Sequence, residues 1–300
     1  MVLLIGSLQL GLIYALLAMG IFISFRILKI PDLTVDGSFT LGLAVSAALT
    51  AAGSPALGFV LGMLAGGAAG IITGTLQTKL RIHPILSGII TMSGLYTVNL
   101  YVLGSRSNLT LIGADTVFRV LVDAVGLHRD VTRTLIPLFI CAALGLFLFW
   151  FFKTHLGMSI RATGSNEDMV RASSIHVDKM KIIAFAISNG CVALSGAVLA
   201  QYQGFADIGS GVGILVVGLA SVIIGEAFFG RKSVGIGLLS VTFGSLVYRF
   251  IIALALAGAF FPAFALRLVS AVIVVLALSL PEIRLRYAKM KKRRRRYANA

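Results

Sequence analysis

The chain has 300 residues, of which 58% are hydrophobic and 12% are charged, and its mean hydropathy is +0.99. A soluble domain carries about 25% charged residues, because its surface must face water. This composition excludes an ordinary soluble enzyme and indicates a protein whose surface faces lipid. The formal net charge of +15 is unevenly placed, since nine basic residues and no acidic residue follow Glu282.

Apolar segments recur along the chain, and most are long enough to form a membrane helix, which takes about 20 residues. We predict helices at 2–25, 36–52, 56–78, 84–103, 134–152, 181–202, 211–229, 234–257 and 263–280. The first lacks a basic leader and a cleavage site, so we expect it to be retained. The second is short and glycine-rich, which is typical of a broken or re-entrant helix.

The predicted fold is an all-α, polytopic transmembrane helical bundle of about 8–10 spans. One transmembrane domain occupies 1–283, and a basic tail occupies 284–300. Basic runs bind nucleic acid in some proteins, but this one directly follows an apolar helix, where such runs anchor to anionic lipid. We therefore expect anionic lipids, and no nucleic acid, as the partner of the tail.

Lysine and arginine in the short loops predict which side of the membrane each loop faces. They follow the first, third, fifth, seventh and ninth predicted helices: Arg26, Lys29, Lys79, Arg81, Arg161, Arg171, Lys179, Lys181, Arg231, Lys232 and the tail. All lie on one side if the N-terminus is outside and the C-terminus is cytoplasmic. The segment at 104–133 is then an external loop of mixed charge, and Arg249 and Arg267 extend to the outer interface.

Five polar residues in the predicted spans are candidates for lining a pathway: Tyr14, Tyr96, Asn99, Asn189 and Gln201. Each has the alternative role of hydrogen bonding a neighbouring helix. Tyr96 and Asn99 form the best pair, because they stand one turn apart on one face. Among the acids, Asp32 and Asp36 suit turn capping or transport, whereas Glu226 suits a structural ion pair near the cytoplasmic face.

The longest internal loop, at 157–181, is polar and contains a predicted short helix over 166–174. Ser165 is placed as the N-cap of this helix, with Asp168 three positions on as its capping-box partner. Gly164 allows the chain to turn into the helix. The loop is therefore expected to present one helix at the cytoplasmic surface.

The predicted short helix has a surface suited to another protein. Glu167 and Arg171 stand at i and i+4, where opposite charges pair, and Met169, Val170 and Ser173 share a face. An exposed helix of this kind fits a groove of a partner. The residues expected at that contact are Gly164, Ser165, Asn166, Glu167, Met169, Val170 and Ser173.

Three segments resemble permeases of the branched-chain amino acid and ribose type. Gly11-Leu-Ile-Tyr-Ala-Leu-Leu-Ala-Met-Gly20 and Pro31-Asp-Leu-Thr-Val-Asp-Gly-Ser-Phe-Thr-Leu-Gly42 resemble their opening region, with Asp36 as an inserted residue. Arg171 to Lys181 resembles their cytoplasmic loop, although Ser174-Ile-His-Val stands where the family commonly has Leu-Gly-Ile. The variant Thr34-Val-Asp-Gly-Ser38 resembles a subgroup associated with aromatic amino acids.

The resemblance implies the membrane-spanning permease subunit of an ATP-binding-cassette (ABC) importer in the bacterial cytoplasmic membrane. Two permease chains, identical or homologous with a homodimer expected, would surround a pathway for an amino acid or related small solute. An ATP-binding subunit would dock under each chain and bind ATP and Mg²⁺. An extracytoplasmic solute-binding protein would deliver the solute.

Other functions make demands that the sequence does not meet. A secondary active transporter, which is the main alternative, would need an inverted repeat and an acid near mid-depth. A membrane-embedded enzyme would need clustered histidines or acids, but His83, His128, His155 and His176 fall in loops or at helix ends. The chain has no Walker A sequence. We therefore expect a non-catalytic subunit with no metal or cofactor, and with Cys141 and Cys191 as small buried side chains.

Overall fold

The computed structural model describes residues 2–126, 129–230 and 233–257, together with positions 271, 272, 275 and 279. Its α-helices are α1 (Val2–Ile21), α2 (Val35–Ala51), α3 (Pro55–Thr78), α4 (Pro84–Val102), α5 (Val117–Val125), α6 (Arg129–Phe151), α7 (His155–Ser165), α8 (Glu167–Ala172), α9 (Val177–Gln203), α10 (Ile214–Phe229) and α11 (Val234–Ala257). A π-helical segment, Phe22–Ile27, continues α1, and a 3-10 turn, Ile208–Gly211, precedes α10. Strands β1 (Asn108–Thr110) and β2 (Phe205–Asp207) form a small antiparallel pair.

Within those residues, seven helical segments are long and apolar enough to cross a membrane: Leu3–Ile27, Pro55–Thr78, Pro84–Val102, Asp130–Phe151, Val177–Gln203, Ile208–Phe229 and Val234–Ala255. The all-α polytopic prediction is confirmed. The predicted helix at 263–280, Arg267, the Arg231–Lys232 turn and the basic tail lie outside the described residues.

Three predicted helix starts were wrong by three to five residues. The helix predicted from 134 begins at Arg129, and the one predicted from 181 begins at Val177. In both cases an acid in the first turn, Asp130 or Asp178, complements the positive end of the helix dipole, so polar residues join the helix. The helix predicted from 211 begins only at Ile214, because Gly213, with φ 81°, has a left-handed backbone conformation that a right-handed helix cannot include.

The segment at 104–133 is also more ordered than the predicted loop. It contributes β1, whose Leu109 is opposite Ala206 of β2, and it contains α5. Thr116 caps α5 by accepting a hydrogen bond from Arg119 N at 3.3 Å. We call this side of the bundle the sheet end, and the opposite side, which carries α7 and α8, the α8 end.

Helix α9 is the buried axis of the bundle, and small residues let its neighbours approach closely. A Cβ added at Gly66 or Gly70 of α3 would lie 2.2 Å from an atom of α9, so the two backbones are in contact. The Ser188 and Ser195 hydroxyls donate to carbonyls of α1 at 2.7 and 2.8 Å. Close approach and interhelical hydroxyl bonds are the forces that hold membrane helices together.

Two helices, α2 with 17 residues and α10 with 16, are shorter than the 27-residue α9, and we call them the half-length helices. Helix α2 starts beside Asn189, near the middle of α9, and reaches the sheet end, where Ser46 donates to the Ala197 carbonyl at 3.0 Å. Helix α10 starts beside the first turn of α2 and runs to the α8 end, where Glu226 meets the π-helical segment. The glycine-rich second helix is continuous from Val35 to Ala51, so it is not a broken helix, and its re-entrant course stays a prediction.

Candidate functional site

The N-termini of the two half-length helices meet at a single carboxylate. Asp36, in the first turn of α2, accepts hydrogen bonds from the backbone N–H groups of Gly213 and Leu215, each at 2.9 Å. Helix N-termini carry partial positive charge, so two of them placed together repel each other unless an anion lies between them. Asp36 supplies that anion from within the chain. We call this meeting point the junction.

The junction opens into a cavity of ≈ 430 Å³, a volume within the range of small-molecule binding sites. It is lined by Asp36, Gly37, Thr40, Met92, Ser93, Tyr96, Asn99, Ile208, Gly211 and Val212. Gly211 is required there, because a Cβ would lie 2.2 Å from the Asp36 carbonyl oxygen. We call this space the junction cavity.

One wall of the junction cavity is the polar face of α4. Ser93 and Tyr96 are exposed at the surface of the chain, with Tyr96 57% exposed. Asn99 is 1% exposed, and its Nδ2 donates to the Gly37 carbonyl at 3.2 Å. Its Oδ1 is buried and accepts no hydrogen bond from the part of the chain that the structure describes. Tyr96 and Asn99, paired by their spacing, thus lie in the wall of one cavity.

The other three candidate pathway residues lie in packed contacts away from this cavity. The Tyr14 ring stacks on Phe39, and the Arg249 guanidinium lies 3.8 Å from the Tyr14 ring centroid. Asn189 donates to the Asp32 carboxylate at 2.6 Å. These positions match the alternative role of interhelical bonding.

Gln201 has a similar bonding role at the sheet end. Its Nε2 donates to the Pro55 carbonyl at 2.8 Å and to the Ser46 hydroxyl at 3.1 Å, and its Oε1 accepts from Val117 N at 3.0 Å. One side chain thereby joins α9 to α2, α3 and α5. The amide group of Gln201 thus donates two hydrogen bonds through Nε2 and accepts one through Oε1.

The start of α2 is fixed by a second buried acid. Asp32 is fully buried and accepts a hydrogen bond from Thr34 N at 2.9 Å, in addition to the bond from Asn189. The Thr34 hydroxyl lies 2.8 Å from that of Thr73 on α3. Asp32 therefore has the turn-capping role, and its bonds hold the half-length helix at its level in the bundle.

At the α8 end, Glu226 forms an ion pair with the Arg26 guanidinium through two hydrogen bonds. The structural ion pair that the sequence indicated for Glu226 is present. Its basic partner, Arg26, lies in the π-helical segment, 200 positions away. This pair joins the far end of α10 to the end of α1.

Three details of the predicted cytoplasmic helix were wrong. Its N-cap is Asn166, which accepts from Met169 N at 3.0 Å, because Ser165 still belongs to α7. Helix α8 spans Glu167–Ala172 and is shorter than the predicted 166–174. Glu167 pairs with Lys181 of α9 at 2.6 Å and not with Arg171.

The face of α8 was also assigned incorrectly for one residue. Val170 is 1% exposed and packs inward, so it does not face a partner. Met169 is 55% exposed, and Ser165, Asn166 and Ser173 are exposed too. Val170 anchors α8, and the outer face is available for contact.

The α7–α8 unit is bound firmly to the membrane helices. A Cβ at Gly164 would lie 1.9 Å from the Ile27 carbonyl oxygen, so α7 rests directly on the π-helical segment. Arg171 lies 3.6 Å from Asp178 at the start of α9. A movement of α8 is therefore transmitted to α9 through two ion pairs, and to the π-helical segment through the backbone contact of α7.

Comparison with known proteins decides the family. The model of the branched-chain amino acid transport system permease component matches residues 3–278. The chain belongs to this family. It is the membrane-spanning permease subunit of an ABC importer, a multi-pass inner-membrane protein, and this excludes the secondary active transporter.

Individual relatives show the range of solutes in the family. The chain is 35% identical over 266 residues to a tyrosine transport system permease protein of Clostridioides difficile, covering 88% of this chain and 86% of the relative. It is 32% identical over 238 residues to the D-allose transport system permease protein AlsC of Escherichia coli, covering 77% and 69%. No solved structure matches the chain.

Proposed function

We propose that the junction cavity is one half of the solute pathway and that a second, identical permease chain supplies the other half. The exposed polar face of α4 carries this proposal. Ser93 and Tyr96 are exposed in the middle turns of a helix long and apolar enough to span a membrane, where lipid would leave their hydroxyls unsatisfied. A water-filled space between two copies satisfies them.

The proposed solute is an amino acid or a related small compound. A volume of ≈ 430 Å³ per chain is within the range of small-molecule sites. The relative named for tyrosine transport is more similar in sequence, and over more of its length, than the relative named for D-allose. Tyr96 and Met92 in the wall suit contact with an aromatic or apolar side chain.

The test is selective block of the pathway. Cysteine would replace Tyr96, or Val98 as the matched control, in a chain with alanine at Cys141 and Cys191. Val98 is also exposed, but it lies about 200° around α4 from Tyr96. A membrane-impermeant thiol reagent should stop ATP-driven uptake through the Tyr96 variant and leave the Val98 variant active. Equal block of uptake in both variants, or in neither, would show that the junction cavity is not the solute pathway.

We further propose that α8 is the contact for the ATP-binding subunit, which binds ATP and Mg²⁺ and carries out hydrolysis, so this chain is non-catalytic. The exposed faces of Met169 and Ser173, beside the charged Asp168, support it. Helix α8 has a rigid attachment to the bundle, which coupling between two sites requires.

The solute-binding protein is proposed to dock at the sheet end. A cavity of ≈ 530 Å³ there is lined in part by Arg119, Asp123 and Arg133, and charges of both signs suit reversible docking. This assigns the N-terminus and sheet end to the outside and the α8 end to the cytoplasm, where the tail at 284–300 would meet anionic lipid.

Orientation can be tested by labelling. A cysteine at Thr116 should react with an impermeant thiol reagent in intact cells, and one at Ser165 should react only after the membrane is opened. Both residues are partly or fully exposed, so burial does not prevent the reaction. The reverse pattern would invert the assignment.

A further inference from the structure

The charge of the junction cavity favours one kind of solute group. Asp36 is the only ionisable acid or base among its lining residues apart from the Tyr96 phenol, and no lysine, arginine or histidine lines it. A single carboxylate in a cleft attracts cations and repels anions. The described wall of the cavity is therefore selective for positive charge.

The half-length helices do not reverse this selectivity. A free helix N-terminus normally binds an anion, such as the carboxylate of an amino acid. In this chain Asp36 already occupies the N-terminus of α10 through Gly213 and Leu215. Each carboxylate oxygen has about two acceptor positions, so one on each oxygen is left for a donor.

Asn99 adds a second acceptor, whose orientation is fixed by chemistry. The Gly37 carbonyl can only accept, so the Asn99 atom 3.2 Å from it must be Nδ2, which donates. The buried Oδ1 is consequently left as an acceptor without a donor in the described residues. An unpaired buried acceptor is destabilising, and a donor from a bound solute would recover that energy.

The geometry points to a binding site in which Asp36 and Asn99 Oδ1 accept hydrogen bonds from a protonated amino group of the solute. The two residues adjoin in the wall, because Asn99 is bonded to Gly37, the residue after Asp36. An ammonium group offers several donors and a positive charge, whereas a sugar hydroxyl offers one donor and no charge. This inference rests on the proposed pathway and names the solute group that the pathway selects.

The first experiment measures the charge preference without assuming a solute. Ser93→Cys, in the chain with alanine at Cys141 and Cys191, would be assembled with its ATP-binding subunit in nanodiscs. Its reaction rates with trimethylammonium-ethyl and sulfonato-ethyl methanethiosulfonate would be compared. Tyr101→Cys, 76% exposed on the same helix and outside the lining of the cavity, supplies the reference ratio.

The cation-to-anion rate ratio at Ser93→Cys should exceed that at Tyr101→Cys about tenfold. Adding Asp36→Asn should bring the ratio to the reference value, whereas adding Asn99→Ala should leave it within about twofold, because the charge remains. Asp36→Asn also weakens the cap of α10, so size-exclusion profiles would be compared. If that variant does not fold, the rate ratio at Ser93→Cys and its change on adding Asn99→Ala still test the charge preference of the cavity.

The second experiment measures protection of Ser93→Cys by three probes: L-tyrosine, tyramine, which keeps the amino group, and 3-(4-hydroxyphenyl)propanoate, which lacks it. The two amines should slow the modification and the acid should not, and Asn99→Ala should reduce protection by the amines about tenfold. Equal protection by all three, protection by the acid alone, or no protection would overturn the amino-group site. If neither thiol reagent reaches Ser93→Cys, the pathway itself is wrong.

Discussion

Two regions of this permease use small and polar residues in opposite ways. Along the α3–α9 interface, Gly66 and Gly70 bring two backbones into contact, and the hydroxyl of Thr73 is paired. At the junction, the half-length helices begin beside a cavity, and the Asn99 Oδ1 accepts no hydrogen bond from the described residues. The same kinds of residue therefore bring two helix backbones into contact in one place and line an open cavity in the other.

The difference teaches where to look for function in a membrane bundle. A polar side chain whose hydrogen bonds are all made within the chain, such as Gln201, contributes to structure. A polar side chain with an unused donor or acceptor in a cavity contributes to recognition, because the energy of its missing bond is available to a ligand. Changes in the two regions should therefore differ in kind.

A large loss of stability is expected where α3 packs against α9. Gly70→Ala would place a methyl group 2.2 Å from the Phe185 carbonyl oxygen, which forces α3 away from α9. Overpacking of this kind costs about 1–3 kcal/mol or more, so the unfolding temperature in detergent should fall and the yield of monodisperse protein should drop. Gly94→Ala is the control, since its Cβ meets nothing within 4 Å. Equal melting of both variants would show that the interface is not tightly packed.

Substitutions in α8 should distinguish a residue that contacts the ATP-binding subunit from one that anchors α8 to the bundle. Met169→Asp changes an exposed side chain, so it should abolish co-purification of the ATP-binding subunit while the unfolding temperature stays unchanged. Val170→Asp buries a carboxylate, which costs several kcal/mol, so it should lower stability as well as co-purification. The control is Asp115→Asn, which neutralises an exposed carboxylate at the opposite, sheet end of the bundle. Normal co-purification with Met169→Asp would place the contact elsewhere.

A smaller effect is expected where α10 meets the π-helical segment. Arg26→Met leaves Glu226 without this ion pair, and at such a partly exposed site we expect a cost of about 1 kcal/mol. Uptake should fall roughly fivefold at constant ATP-binding-subunit content. The double variant Arg26→Glu with Glu226→Arg, which exchanges the two charges, should recover part of the lost uptake. Full activity of Arg26→Met would mean that this pair does not position α10.

The smallest effect is expected from an exposed hydroxyl in the wall of the cavity. Ser93→Ala removes one hydrogen-bonding group without changing charge or packing, so the solute concentration for half-maximal uptake should rise about threefold. Thr75→Ala is the control, because the Thr75 hydroxyl bonds its own helix at the Ile71 carbonyl. A rise for both variants would indicate a general effect on the bundle.

Much of this architecture follows from the sequence, because local physics determines it. Apolar length predicts the spans. Ser165 failed as an N-cap because tertiary contact extends α7: Gly164, a weak helix former, is held against Ile27. Val170 was misassigned because spacing defines a helix face but not which side faces the bundle.

The junction could not be derived in the same way. Asp36 and Gly213 are 177 positions apart, and no periodicity links them. The signals present were an acid in the first turn of a glycine-rich helix and glycines at 209, 211 and 213 before another. The proximity of Tyr96 and Asn99 could be predicted because both residues lie on one helix, one turn apart. Their roles in the pathway remain predictions.

The most direct test of the account asks what faces the exposed polar side of α4. Tyr96→Cys and the control Val98→Cys, each in the chain with alanine at Cys141 and Cys191, would be treated in membranes with a short bifunctional thiol reagent. The account predicts a covalent permease dimer from Tyr96→Cys, formed more slowly when L-tyrosine is bound, and none from Val98→Cys. A dimer from Val98→Cys alone, or no dimer from an active Tyr96→Cys importer, would contradict it.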